Sequence, residues 1–244
     1  MKIKILQNIV ISVSVLFALT RPLAADTFIT FDVTGAFATI PIFINPPGTI
    51  TGDYLGADFT FHGFVRAPNG TITTFDAPGA INGTFPGGIS PNGTITGSYA
   101  DADYTNHGFV RAPGGAITTF DVPGAVNGTT PSGINPNGTI TGSYTDASFI
   151  SHGFVRARDG AIATFDAPGA VNGTFPSNGI TPNGTITGTI EGSEEHGFVR
   201  APDGTITTFD VPGAVLTRPN AINPNRTITG FYTGAGAHGF VRIP

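Results

Sequence analysis

The chain of 244 residues has no cysteine and no tryptophan, and only one methionine. Without cysteine there is no disulfide, no thiolate metal site and no lipidated cysteine, so packing and hydrogen bonds must hold the fold together. Lysine is confined to Lys2 and Lys4, and only 11% of the residues are charged. No basic stripe is present to follow a phosphate backbone or an anionic membrane, which argues against nucleic acid as a partner. After the N-terminal region no run is apolar enough for a membrane helix, and no long amphipathic helical pattern occurs.

The first 25 residues read as a secretory signal peptide. Lys2 and Lys4 form a basic start, Ile9 to Leu19 an apolar stretch too short to span a bilayer, and Ala24-Ala25 a small-residue cleavage site. Cleavage there leaves residues 26–244 as the mature domain, secreted or periplasmic and no longer inserted in a membrane. Loss of Lys2, Lys4 and Arg21 leaves eight basic against 16 acidic residues, a net charge of −8.

The remainder is one sentence written five times. Thr-Phe-Asp ends at Asp32, Asp76, Asp121, Asp166 and Asp210. His-Gly-Phe-Val-Arg begins at His62, His107, His152, His196 and His238, spaced 45, 45, 44 and 42 residues apart. A period of this size belongs to stacked or ringed modules. Gly 35 and Pro 20 recur at fixed places, so they read as turns between strands rich in Thr, Ile, Val and Phe.

Four short strands fit in each repeat: in the second, Gly88–Ser90, Thr94–Tyr99, His107–Ala112 and Ala116–Asp121. That is the size of one propeller blade. The predicted fold is all-β, a five-bladed β-propeller of about 45 residues per repeat. Pro-Asn-Gly and Pro-Asp-Gly suit a three-residue hairpin with glycine in the left-handed position. This register sets Val65 opposite Thr73, Gly63 opposite Phe75, His62 opposite Asp76, and Ile89 opposite Ile95. The phenylalanine ring then covers a bare glycine backbone. The chain starts with a fourth strand, residues 27–32, and ends with a third, so pairing the N-terminal strand with the C-terminal blade would close the ring. A closed ring has no free edge, and a monomer is expected.

Residues 43–244 resemble the HAF-repeat family of bacterial extracellular proteins. The resemblance rests on Gly-Ile-Asn-Pro-Asn-Gly-Thr-Ile-Thr-Gly from Gly133 to Gly142, then His-Gly-Phe-Val from His152 to Val155, and their counterparts. All five copies read His-Gly-Phe where the family has His-Ala-Phe. The resemblance implies export and a propeller-like fold, but no activity.

The two tight turns of each blade emerge on one rim, and two longer, variable connections on the other. Binding groups concentrate on variable loops held by a rigid scaffold, so the long-loop rim is the predicted binding face. Its candidates are Tyr54, Tyr99, Tyr144 and Tyr232 with Asp101 and Asp146, although alternation also places the tyrosines on the Ile95 face, as core. The acids Asp53, Asp58, Asp103, Glu191, Glu194 and Glu195 fall in the same loops; carboxylates there could bind calcium, but no metal-loop spacing occurs and they read as ordinary solvated loop charge. The five His-Asp pairs read as buried structural locks of strand register, and the repeated arginines as strand-end residues with packed stems. No nucleophile elbow, zinc pair or phosphate loop occurs, and no catalytic residue, metal or cofactor is assigned. The predicted function is a non-catalytic, lectin-like binding module for a surface glycan or an extracellular protein. The alternatives are a structural matrix protein or a propeller hydrolase.

Overall fold

The computed structural model describes residues 27–244; the segment read as a signal peptide, 1–25, lies outside the described residues. Residues 27–31, a separate unit from 32–244, carry no helix or strand. Every regular element in the described residues is a β-strand. The first repeat holds β1 (Ala38–Ile44), β2 (Ile50–Leu55), β3 (Phe61–Arg66) and β4 (Ile72–Phe75). The second holds β5 (Thr84–Ile89), β6 (Ile95–Ala100), β7 (Asn106–Arg111) and β8 (Ile117–Phe120). The third holds β9 (Thr129–Ile134), β10 (Ile140–Thr145), β11 (Ser151–Arg156) and β12 (Ile162–Phe165). The fourth holds β13 (Gly173–Ile180), β14 (Ile186–Glu191), β15 (Glu195–Arg200) and β16 (Ile206–Phe209). The fifth has three strands, β17 (Leu216–Ile222), β18 (Ile228–Thr233) and β19 (Ala237–Arg242). Within a repeat each strand pairs antiparallel with the next.

The register follows the hairpin argument. Val65 faces Thr73, Gly63 faces Phe75, and Ile89 faces Ile95. The Phe75 ring lies so close over Gly63 that a Cβ there would sit 2.5 Å from the ring. The same cover recurs at Gly108, Gly153 and Gly197. The first strand of a repeat is longer than Gly88–Ser90 suggested. It starts at Thr84 and passes through a bulge between Pro86 and Gly88, where proline lacks an N–H for the ladder.

The core lies between consecutive repeats. Ile95, Tyr99 and Phe109 of the second repeat pack with Val65, Phe75 and Ala77 of the first. Equivalent clusters form around Ile140 and Phe154, and around Ile186 and Phe198. Fully buried threonines tie the strands, as where Thr96 Oγ1 donates to the Phe109 carbonyl at 3.0 Å. Arginines staple one repeat to the one before: Arg111 lies over Phe75, Arg156 over Phe120, Arg200 over Phe165 and Arg242 over Phe209, at 4.7–4.9 Å. Burial without a counter-ion lowers the pKa of Arg111, and of Arg156 and Arg200 despite nearby aspartates. This agrees with strand-end arginines acting as packing.

The end repeats are less covered. Among the described residues, β19 hydrogen-bonds to β18 alone, and no strand forms at 27–32. Val241 is 66% exposed, and among the described residues only a carbonyl, at 3.9 Å, approaches the Gly239 face that phenylalanine covers in the other repeats.

Candidate functional site: the rim of the β2–β3 turns

Antiparallel order sends the turns β1–β2 and β3–β4 to one rim, and β2–β3 and β4–β5 to the other. The second-to-third connection is not long. In the second repeat Asp101 N donates to the Thr105 carbonyl at 3.1 Å, and Tyr104 N to the Asp101 carbonyl at 3.2 Å. Ser90 and Gly93 make the same two bonds in the Pro-Asn-Gly hairpin. The β6–β7 connection is therefore the same three-residue hairpin. The Asp101 carboxylate accepts from the backbone N–H of Asp103 and of Thr105, both at 2.9 Å, and so holds the turn. The left-handed position, filled by glycine in the opposite-rim hairpins of the first four repeats and by Arg226 (φ 63°) in the β17–β18 hairpin, is filled here by Tyr104 at φ 61°. Phe59 (φ 62°) and Phe149 (φ 61°) occupy the equivalent place in the first and third repeats. Without a glycine to mark them, these turns read as open loops in the sequence.

The histidines stand directly behind these turns. His107 Nδ1 lies 2.9 Å from Asp121 and Nε2 3.2 Å from Asp101. His152 is set the same way between Asp166, at 2.8 Å, and Asp146, at 3.4 Å. In the first repeat Gly56 replaces the turn aspartate. Asp58 fills its place, 3.2 Å from His62 Nε2, while Asp76 takes Nδ1 at 2.8 Å. His196 keeps only Asp210. The fifth pair is not made: among the described residues His238 and Asp32 have no ion-pair partner.

These pairs sit at the rim rather than in the interior. The His107 side chain is 25% exposed and that of Asp121 51%. Burial alone would lower the pKa of His62, His107 and His152, but the flanking carboxylates outweigh it and raise all three. The reason is geometric. A neutral imidazole has one N–H, so one ring nitrogen would turn its lone pair on a carboxylate, whereas the imidazolium donates to both.

The candidate tyrosines stack on those histidines. Tyr54, Tyr99 and Tyr144 lie 5.0–5.1 Å from His62, His107 and His152, and Tyr232 lies 5.2 Å from His238. Tyr99 is 8% exposed and belongs to the Ile95 core. Asp53 lies within β2, buried, and burial raises its pKa; it is not a loop acid. Arg218 forks onto both carboxylate oxygens of Glu195, joining β17 to β15. No spacing in the sequence announced that pair.

The other rim connection, β4–β5, begins with a type II turn. Ala80 N donates to the Ala77 carbonyl at 3.0 Å, with Pro78 and Gly79 (φ 90°) at its corners. Asn82 and Asn127 donate side-chain N–H bonds to the Asp101 and Asp146 carbonyls, so each connection is latched to the turn of the next sheet. Its tip leaves Ile81, Val126, Val171 and Val215 more than 60% exposed. On the opposite rim a cleft of about 220 Å³ opens between the second and third repeats, lined in part by Val110, Thr118, Ile134 and Arg156. Among the described residues no group of three or more His, Asp or Glu is placed to hold a metal ion.

No protein-family model and no curated protein matches the chain. Solved structures do. Virginiamycin B lyase from Staphylococcus aureus is similar at TM-score 0.53 and 16% identity, over 83% of this chain and 69% of that one. A streptogramin B lyase is similar at 0.54 and 17%, over 84% of this chain and 65% of that one. A triple-arginine mutant of AofleA from Arthrobotrys oligospora is similar at 0.50 and 14%, over 82% and 69%. These likenesses show fold alone: the chain is an all-β protein of repeated sheets whose structural neighbours are β-propeller-like.

Proposed function

We propose that the chain is an exported, non-catalytic binding module: a monomeric five-bladed propeller of His-Gly-Phe-type HAF repeats that recognises surface glycan through the β2–β3 rim. The observation that carries the reading is repetition at that rim. In each of the first three repeats the turn presents an exposed aromatic beside acidic groups, braced from behind by the His-Asp lock. Catalysis needs unlike groups converging on one point, whereas these groups are alike and set on separate repeats. Equivalent weak sites on one rigid face suit a repetitive ligand, where they combine by avidity. Closure of the propeller by residues 27–32 is supported by three features of β19. Among the described residues His238 has no aspartate partner and Gly239 no covering ring, and Val241 is exposed. Thr30-Phe31-Asp32 is the segment whose sequence matches the missing strand.

A glycan-array screen of the secreted protein tests the reading. Binding to at least one glycan, weakened by Asp101→Ala with Asp146→Ala and unchanged by Asn69→Asp on the opposite rim, is the expected result. Loss of binding on Asn69→Asp alone would move the functional face to the other rim.

A further inference from the structure

Phe59, Tyr104 and Phe149 are held in the left-handed backbone region, where a side chain bearing Cβ is strained and bulky residues are outliers. The fold has a cheaper solution at hand. Gly48, Gly70, Gly93, Gly115, Gly138, Gly160, Gly184 and Gly204 all adopt positive φ at the opposite-rim hairpins of the first four repeats, and only Arg226 (φ 63°), in the fifth, does so without glycine among the described hairpins of that rim. Nor do the rings repay the strain by burial, since they are 76%, 76% and 77% exposed. Phe59 stacks on Phe37, itself 63% exposed, so even that pair faces solvent. Three copies of a locally unfavourable, outward aromatic are hard to explain by folding and easy to explain by contact with a ligand.

The surroundings define the ligand. Each ring is preceded by an exposed polar residue, Asp58, Asp103 or Ser148, that can accept a hydroxyl hydrogen bond. None of the three turns carries a basic residue, so phosphate and anionic lipid headgroups find no counter-charge. The rings sit one to a turn on successive repeats. That gives several small stacking platforms, not one continuous apolar patch. An aromatic face is electron-rich and attracts the polarised C–H face of a pyranose, while acceptors beside it take the equatorial hydroxyls. We infer that Phe59, Tyr104 and Phe149 are the stacking platforms of three equivalent subsites for neutral pyranose units of a polysaccharide. The inference rests on the glycan-binding reading above. It assigns the direct contact to these rings and leaves Tyr54, Tyr99 and Tyr144 as supports of the histidines.

The test joins binding to stability in one set of proteins. Wild type, the triple variant Phe59→Gly/Tyr104→Gly/Phe149→Gly, and a second triple variant with asparagine at the same sites are run in affinity gels. The gels contain laminarin, mannan or galactan, and melting temperature is measured in parallel. Asparagine also tolerates the left-handed region, so one of the two triples will report if the other folds poorly. The expected result is retardation of wild type by at least one polysaccharide, with affinity reduced at least about tenfold in both triples through loss of combined sites. Their melting temperatures should equal or exceed that of wild type. Equal retardation of wild type and triples would overturn the inference and leave glycan binding standing. A wild type retarded by none of the three would overturn both. A fall of several degrees in both triples would show the rings to be structural. Co-sedimentation of wild type with phosphatidylcholine vesicles, lost in the triples, would make a lipid surface the occupant and overturn the assignment.

Discussion

Phe120 is the best single point at which to test how one repeat is held to the next. Its ring does three jobs. It lies on the Cα of Gly108, where a Cβ would come within 2.7 Å. It meets Phe154 of the third repeat edge-on, with centroids 6.1 Å apart at 73°. It also receives the Arg156 guanidinium at 4.7 Å. Phe→Ala costs about 3–5 kcal/mol in a full core, and because Phe120 is half-buried about 2 kcal/mol is the fitting share. The edge-to-face pair adds about 1 kcal/mol and the cation–π contact about 0.5–1 kcal/mol. Phe120→Ala should therefore destabilise by about 3–4 kcal/mol, and lower the melting temperature by roughly 10 °C in a domain of this size. Urea titration with thermal melts reads both quantities. A double-mutant cycle with Arg156→Met isolates the staple, with an expected coupling of about 0.5–1 kcal/mol. A loss below about 1 kcal/mol for Phe120→Ala would refute the claim that this ring is a principal inter-repeat contact.

Two further outcomes follow from the same contacts. The histidine locks make stability depend on pH. His62, His107 and His152 titrate above 6.5 when folded, so their contribution is complete below about pH 6.5 and is lost as pH rises through the raised values. Asp58, Asp101 and Asp146 are lowered from 3.8, chiefly by the Thr60 N–H, by His107 and by the Ile150 N–H respectively, so their contribution is present above that value and is lost in stronger acid. The melting temperature should be highest between these limits and fall toward pH 8, and joint His62→Gln, His107→Gln and His152→Gln substitution should flatten the upper limb; an unchanged alkaline slope would sink the assignment. If residues 27–32 close the ring as proposed, deleting them should lower the melting temperature or cause aggregation by exposing the β19 edge, and a clipped protein that melts like full length would count against closure.

Most of the fold was legible because glycine and proline mark its turns. Pro-Asn-Gly placed Gly63 opposite Phe75 and Ile89 opposite Ile95, and alternation then placed Tyr99 beside Ile95 in the core. What escaped notice was the turn made without glycine. Asp101 does there by side-chain acceptance what asparagine does in the marked turns, and Tyr104 takes a backbone region that sequence rules reserve for glycine. The β2–β3 connections therefore read as long and variable, when in the first three repeats they are short and built to the same plan, whereas the β4–β5 connection, residues 76–83, is long as the sequence indicates. Asp53 differs from its sequence reading for a related reason: a carboxylate in a Thr-Gly-Asp-Tyr run reads as loop, yet the strand continues through it. The Glu195–Arg218 pair escaped because its members are 23 residues apart on different repeats.

The exceptions to the repeat bear most directly on function. In the fourth repeat Glu191 pairs with Glu195 across a three-residue tip, and in the fifth Thr233 pairs with Ala237 in the same way. Neither tip holds a non-glycine residue at positive φ, so neither displays a strained aromatic. Their hairpins are two residues shorter: Ile190 faces His196 and Tyr232 faces His238, six positions apart, where Tyr99 faces His107 at eight. The strand pairing behind the tip is kept while the tip itself is exchanged. A scaffold that keeps its paired strands whatever tip joins them can gain or lose contact groups one repeat at a time. This chain presents them on three consecutive repeats, so its rim is polarised: one arc offers aromatic faces and the other, at Glu194 and Gly234–Gly236, offers small and acidic residues.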